Sequence, residues 1–184
     1  MNYVHAVVPV GLSGGLCMFW KEMAQVVLLK YAGFFFIEVV IKDEEHGMTW
    51  QFCAVYASTD ARVLRSQWQI LSERIEWCQD ACLVMGDFND IMDVIEKSAG
   101  VPRIERSLED FCGFVANSRL LDLGYVDHPF TWRNRHQDWG IMERLDRGFG
   151  NVAWMARYPK EEVHHVIIAG PDHAMLLLHS HGST

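Results

Sequence analysis

The chain has 184 residues, half of them hydrophobic, which is enough apolar material for one domain with its own core and too much for a disordered chain. Sixteen basic residues against 24 acidic ones give a net charge of −8. That excludes a generic basic nucleic-acid coat but leaves room for a nuclease with a local basic face and a carboxylate metal site. The five cysteines are odd in number and contain no C-x-x-C pair, so neither a disulfide framework nor a zinc ribbon is indicated, and a reducing compartment fits.

In chain order, Met1 to Trp20 has no basic start followed by an unbroken apolar core, so it does not read as a signal peptide. The greasiest run, Val26 to Ile41, is interrupted by Lys30, Gly33 and Glu38 and is too short to span a bilayer. An intracellular protein, nuclear or cytoplasmic, with no membrane partner is expected. Leu12-Ser13-Gly14-Gly15 predicts a turn and Leu16 to Trp20 a strand. Val26–Tyr31 and Phe34–Lys42 read as strands, then a polar hairpin loop from Asp43 to Gly47 and a return strand from Met48 to Ala57. From Asp60, a plausible N-cap, Leu64, Trp68, Leu71, Ile75 and Cys78 recur at steps of four and three, the face of an amphipathic helix. A continuous apolar run, Ala81 to Met85, predicts a strand buried on both faces beside that helix. A long irregular segment follows to Arg106. Ser107-Leu108-Glu109-Asp110 then resembles a capping box opening a helix from Leu108 to Asn117. Leu120–Gly124, Pro129–Trp132, Ile141–Arg147, Val163–Ile168 and Ala174–Leu178 read as short strands or turns, with Asn151 capping a helix from Val152 to Arg157.

The chain is organised around Leu83-Val84-Met85-Gly86-Asp87-Phe88-Asn89. Gly86 permits a sharp backbone turn, and Asp87 and Asn89, two residues apart, can point the same way. At other predicted strand ends stand Tyr56, Asp146, and Asp172 with His173. Hydrolysis of a phosphodiester needs cations on the phosphate, a base near the attacking water and an acid or metal at the leaving oxygen. An imidazole held by a carboxylate supplies such a base.

Taken in order, Ser13-Gly14-Gly15-Leu16 with Phe19-Trp20, Val55-Tyr56, Gly86-Asp87-Phe88-Asn89, Leu121-Asp122-Leu123-Gly124, Phe130-Thr131-Trp132, Glu143-Arg144-Leu145-Asp146-Arg147 and Asp172-His173 resemble the endonuclease/exonuclease/phosphatase, or DNase I-like, superfamily. Within it the chain looks most like the endonuclease domain of plant LINE-type non-LTR retrotransposons. The resemblance implies an α+β fold, two β-sheets packed face to face with helices outside, as a single domain over residues 1–184. It implies Asp87 acting on the water or leaving group, Asn89 on the scissile phosphate, Tyr56 as a phosphate-side hydroxyl, and His173 oriented by Asp146. Asp172 and Asp87 become the candidate metal ligands, for Mg²⁺ with Mn²⁺ as the alternative. Arg133, Arg135, Arg144 and Trp132 become candidate contacts to DNA.

Family members open with a strand bearing Asn, then a helix, then a strand ending in a metal-binding Glu. No such segment is expected before Leu12, Asn2 and Glu22 being in the wrong contexts, so the domain reads as incomplete at its N-terminus. Weak metal binding is the corollary. The function expected from resemblance is metal-dependent nicking of DNA by a retrotransposon-derived endonuclease. A catalytically inactive remnant or binding module is the alternative, and a small-molecule phosphoesterase the weaker one.

Overall fold

The computed structural model describes residues 2–8, 15–21, 26–43, 47–76, 78, 80–134 and 140–179. The Ser13-Gly14 turn, Glu22, the Glu44-Glu45-His46 loop and Arg135 lie outside them.

The first elements are strands: β1 (Asn2–Val7), β2 (Leu16–Lys21), β3 (Val26–Ala32), β4 (Phe36–Asp43) and β5 (Met48–Tyr56). Helix α1 (Ala61–Glu76) leads to β6 (Ala81–Asp87), and α2 (Glu105–Asn117) to β7 (Leu120–Asp122) and β8 (Val126–Asp127). β9 (Trp132–Arg133), β10 (Met142–Glu143), β11 (Asp146–Asn151), helix α3 (Val152–Arg157), β12 (Glu162–Val166) and β13 (Met175–His179) complete the chain.

A six-stranded sheet runs β3-β4-β5-β6-β11-β7, and a three-stranded sheet runs β13-β12-β8. β1–β2 and β9–β10 form two-stranded ribbons. β5 and β6 are parallel, joined by α1 as a β-α-β crossover. β6 is indeed buried over most of its length, because both faces of the large sheet are covered. On one face, Cys82, Val84, Cys53 and Val55 meet Leu64, Trp68 and Leu71 of α1 and Phe111 and Phe114 of α2. Trp68 stacks on Phe111 and Phe114 with centroids 5.1 and 5.0 Å apart. On the other face, Ala81 and Leu83 meet Trp154 and Tyr158, with Leu178 of β13 packed against them.

Asp60 caps α1, its Oδ1 accepting from the Arg62 amide at 2.9 Å, and Asn151 caps α3, accepting from the Trp154 amide at 2.8 Å. Several boundaries differ from expectation. β1 is a strand the sequence reading did not place. The run expected as one strand from Ile141 to Arg147 breaks at Arg144-Leu145, and the second part continues to Asn151. α2 starts three residues before Leu108, and its first turn has no side-chain cap. Ser107 gives its hydroxyl instead to Asp90 Oδ2, at 2.6 Å. The capping box of this region belongs to a 3-10 turn at Val94–Glu96, where Asp93 and Glu96 satisfy each other's backbone amides inside the stretch expected to be irregular.

Gly86 also works differently. It lies inside β6 rather than at a turn, with φ +146°, and a Cβ there would stand 2.0 Å from the carbonyl oxygen of Val55. Only glycine lets β5 and β6 close that tightly just before Asp87.

Candidate active site

The cleft is built where the ends of β5, β6 and β11 meet. Parallel pairing sets Tyr56 beside Asp87, and antiparallel pairing sets Asp146 opposite Asp87. Two carboxylates on adjacent strands therefore share one sheet end. Past Asp87 the chain turns through Asn89, whose φ of +52° is a conformation asparagine tolerates better than most residues. That turn lets the Asn89 amide nitrogen donate to Asp87 Oδ1 at 2.9 Å, and its side-chain nitrogen to Asp87 Oδ2 at 3.0 Å and the Ala57 carbonyl at 2.8 Å. Asp87 is thus held rigidly, 8% exposed.

His173 arrives from the segment before β13. Its Nδ1 lies 2.9 Å from Asp146 Oδ2, and its Nε2 faces Asp87 Oδ2 at 3.9 Å. Asp146, accepting from Nδ1–H, fixes the tautomer in which Nε2 carries the lone pair. Burial, and after it the charge of Asp146, push the Asp87 carboxyl up to about 7. For His173 burial works downward, but the Asp146 hydrogen bond and the charges of Asp146, Asp87 and Asp172 outweigh it, so the imidazole stays above its ordinary value. A half-protonated acid and a basic imidazole at neutral pH form a proton-transfer pair.

Thr131 joins the two halves. Its hydroxyl accepts from the amides of Leu145 and Asp146, each at 2.9 Å, while its carbonyl accepts from the Ala174 amide next to His173. It is 2% exposed. Thr131→Val leaves two buried amides without an acceptor, and is expected to lower stability by about 1–3 kcal/mol in urea unfolding. Thr131→Ser, which keeps the oxygen, should recover most of that loss.

Tyr56, Thr59, Asp87, Asn89, Arg103, Trp132, Glu143, Asp172 and His173 line an open cleft of about 380 Å³. The structure brings together Tyr56, Asp87, Asn89, Asp146, Asp172, His173 and Trp132 of the residues singled out in the sequence. Arg133 is exposed at its edge, in a neighbouring hollow shared with Asp172 and His173. Arg144 is a correction: it is 6% exposed, its guanidinium bonds Glu96 and Asp122, and it lies over the Tyr125 ring, so it is not placed to meet DNA. Arg147, fully buried, pairs with the same two carboxylates. Neither pairs with Asp146. Arg103 was not singled out at all, because it sits in the stretch that read as irregular. Its terminal nitrogen pairs with Glu143, and its buried Nε has no partner among the described residues.

The donor set suits a hard divalent cation. Ligand atoms of Asp87, Asp146 and His173 lie within 4.8 Å of one another, and a cation there would offset both the burial and the Asp146 charge that raise Asp87. Asp172 is exposed at the mouth of the same cleft.

The model of the endonuclease/exonuclease/phosphatase family matches residues 2–166. The chain belongs to that family. No curated protein matches it in sequence. In fold it is similar to the endonuclease domain of TRAS1, a telomere-specific non-LTR retrotransposon, with a TM-score of 0.72 and 12% identity over 97% of this chain and 80% of that one. It is also similar to the AP endonuclease LMAP of Leishmania major, with a TM-score of 0.76 and 10% identity over 98% of this chain and 71% of the other. A mannosyl-6-phosphatase of Bacteroides thetaiotaomicron matches with a TM-score of 0.61 and 13% identity, over 97% of this chain and 76% of that one. The family member described here therefore has the DNase I-like fold, and is a nuclease- or phosphoesterase-like domain of a family typically dependent on divalent metal. Among its described residues no helix is long and apolar enough to cross a membrane.

Proposed function

We propose that the chain is a divalent-metal-dependent phosphodiesterase of endonuclease type, derived from a non-LTR retrotransposon, that nicks DNA. The observation that carries this reading is the line Asp146–His173–Asp87, with an imidazole held at 2.9 Å on one side and facing a buried carboxylate on the other. His173 and Asp87 divide the two proton transfers, one at the attacking water and one at the leaving oxygen. Asp146 orients His173. Asn89, Tyr56 and Arg103 border the place of the phosphate. Asp87 and Asp172, with Asp146 beside them, would hold Mg²⁺ or Mn²⁺, which supplies electrostatic stabilisation of the phosphoryl oxygens. Trp132 on the cleft wall provides an aromatic face for a base, which favours nucleic acid over a small phosphoester.

The test is conversion of supercoiled plasmid to the nicked form in Mg²⁺ and in Mn²⁺, with chelator as control and a sugar phosphate as competing substrate. Nicking that vanishes with chelator is the expected result. Release of phosphate from the sugar without nicking would favour the phosphoesterase, and neither activity would identify an inactive remnant.

A further inference from the structure

A second group of metal-binding side chains stands on the three-stranded sheet, outside the cleft. Glu162 and His164 lie two residues apart on β12 and so share a face, and His179 of β13 is the direct cross-strand partner of Glu162. Their ligand atoms lie within 4.8 Å of one another, and the two imidazole centroids are 4.9 Å apart. Asp127 of β8, the third strand of the sheet, places Oδ2 2.9 Å from His164 Nδ1. On the far side of the ring, Nε2 lies 3.2 Å from Glu162 Oε2.

That arrangement has a consequence in hydrogen-bond terms. A neutral imidazole donates from one nitrogen and accepts at the other. With Nδ1–H given to Asp127, a proton on Nε2 bridges the ring to Glu162, so that His164 stands between two carboxylates. A divalent cation can take the place of that proton, bound by the same nitrogen and the same carboxylate oxygen. In a tetrahedral site with ligands about 2.1 Å from zinc, adjacent ligand atoms stand roughly 3.4 Å apart, close to the spacing of Nε2 and Oε2. A carboxylate on the outer nitrogen of a ligating histidine is the usual means of fixing ring and tautomer. The donors, two imidazoles and one carboxylate, suit zinc rather than magnesium.

We propose that Glu162, His164 and His179 form a zinc-class metal site with water in the fourth position, Asp127 orienting the His164 ring. The ion would tie β12 to β13, the strand that follows His173.

The test is zinc titration of the chelator-treated protein against a chromophoric competitor, following the thermal midpoint in parallel. The wild-type protein should bind one zinc ion at this site and melt higher with it. His164→Ala and His179→Ala should each weaken that binding at least tenfold, and Asp127→Asn by about 10–100-fold. Glu162→Gln, an exposed position of nearly unchanged shape, should weaken it as well and guards against misfolding of the histidine variants. Asp87→Asn should bind zinc here as the wild type does, which separates this site from the cleft. Zinc binding unchanged in His164→Ala and Glu162→Gln, or no binding by the wild type at 100-fold excess over the protein, would overturn the proposal.

Discussion

Replacing His173 by alanine is expected to slow metal-dependent nicking about 10²–10⁴-fold, the usual worth of a positioned proton-transfer group. The expectation rests on two contacts. Nδ1 is anchored on Asp146 at 2.9 Å, and this leaves Nε2 as the nitrogen that faces the cleft and Asp87. Asp146→Asn should cost a comparable factor by another route. An asparagine amide presented to Nδ1 favours the other tautomer, which puts the proton on Nε2 and removes the lone pair from the cleft. The two variants should differ in their response to added imidazole. A cavity at His173→Ala admits the free base, so activity should return in part, whereas Asp146→Asn has no cavity to fill. A His173→Ala protein that nicks within threefold of wild type would remove His173 from the mechanism.

The second large effect is on stability. In chelator, the protein is expected to lose on the order of 3 kcal/mol between pH 5 and pH 8, and Asp87→Asn should lose much less. The folded carboxyl titrates near 7, far above the value of about 4 for an unfolded aspartate. Between those values the native state binds more protons than the unfolded one, so stability falls as pH rises and is fully present only below the unfolded value. His173, also raised in the fold, acts in the same direction, its contribution vanishing as pH climbs through its folded value. It accounts for the slope remaining in Asp87→Asn. At pH 8 the variant should be the more stable protein and the less active one. Urea midpoints at half-unit pH steps decide the matter, and parallel curves for the two proteins would show that Asp87 is not the titrating group.

What was legible in the sequence was what lies close together in it. Gly86-Asp87-Phe88-Asn89 could be read because strand, turn and carboxylate are contiguous, and the fold follows from apolar runs whose period is local. α1 showed its buried face through Leu64, Trp68, Leu71 and Ile75, and Cys78 fell just past its end. What was not legible depends on partners far along the chain. Arg144 looked like a phosphate contact because nothing near it announced Asp122 and Glu96, 22 and 48 residues away. Ser107 looked like a cap because its true partner, Asp90, is 17 residues back. Arg103 and the Asp93–Glu96 capping box sit in a stretch with neither period, so pattern reading passed over them. Thr131 stood inside a recognised Phe-Thr-Trp element, yet its task, holding Asp146 and the approach to His173 in register, exists only once the strands are paired.

The inward arginines have a consequence for how the protein would meet a duplex. Each guanidinium committed to Glu96 and Asp122 is a cation withheld from the phosphate backbone. Affinity for DNA ordinarily grows with the counterions expelled, so that log K falls with log salt by about 0.9 for each phosphate neutralised. Among the described residues Arg133 is an exposed arginine at the cleft edge and Arg103, also at the cleft, is paired with Glu143, so the two would neutralise at most about two phosphates and give a slope no steeper than about −2, shallow beside those of basic DNA-binding proteins. The net charge of −8 works against them at long range, and dilution of salt lengthens the reach of that repulsion as well as of the local attraction. Capture of a target should therefore pass through a broad optimum of ionic strength instead of climbing steadily as salt is removed.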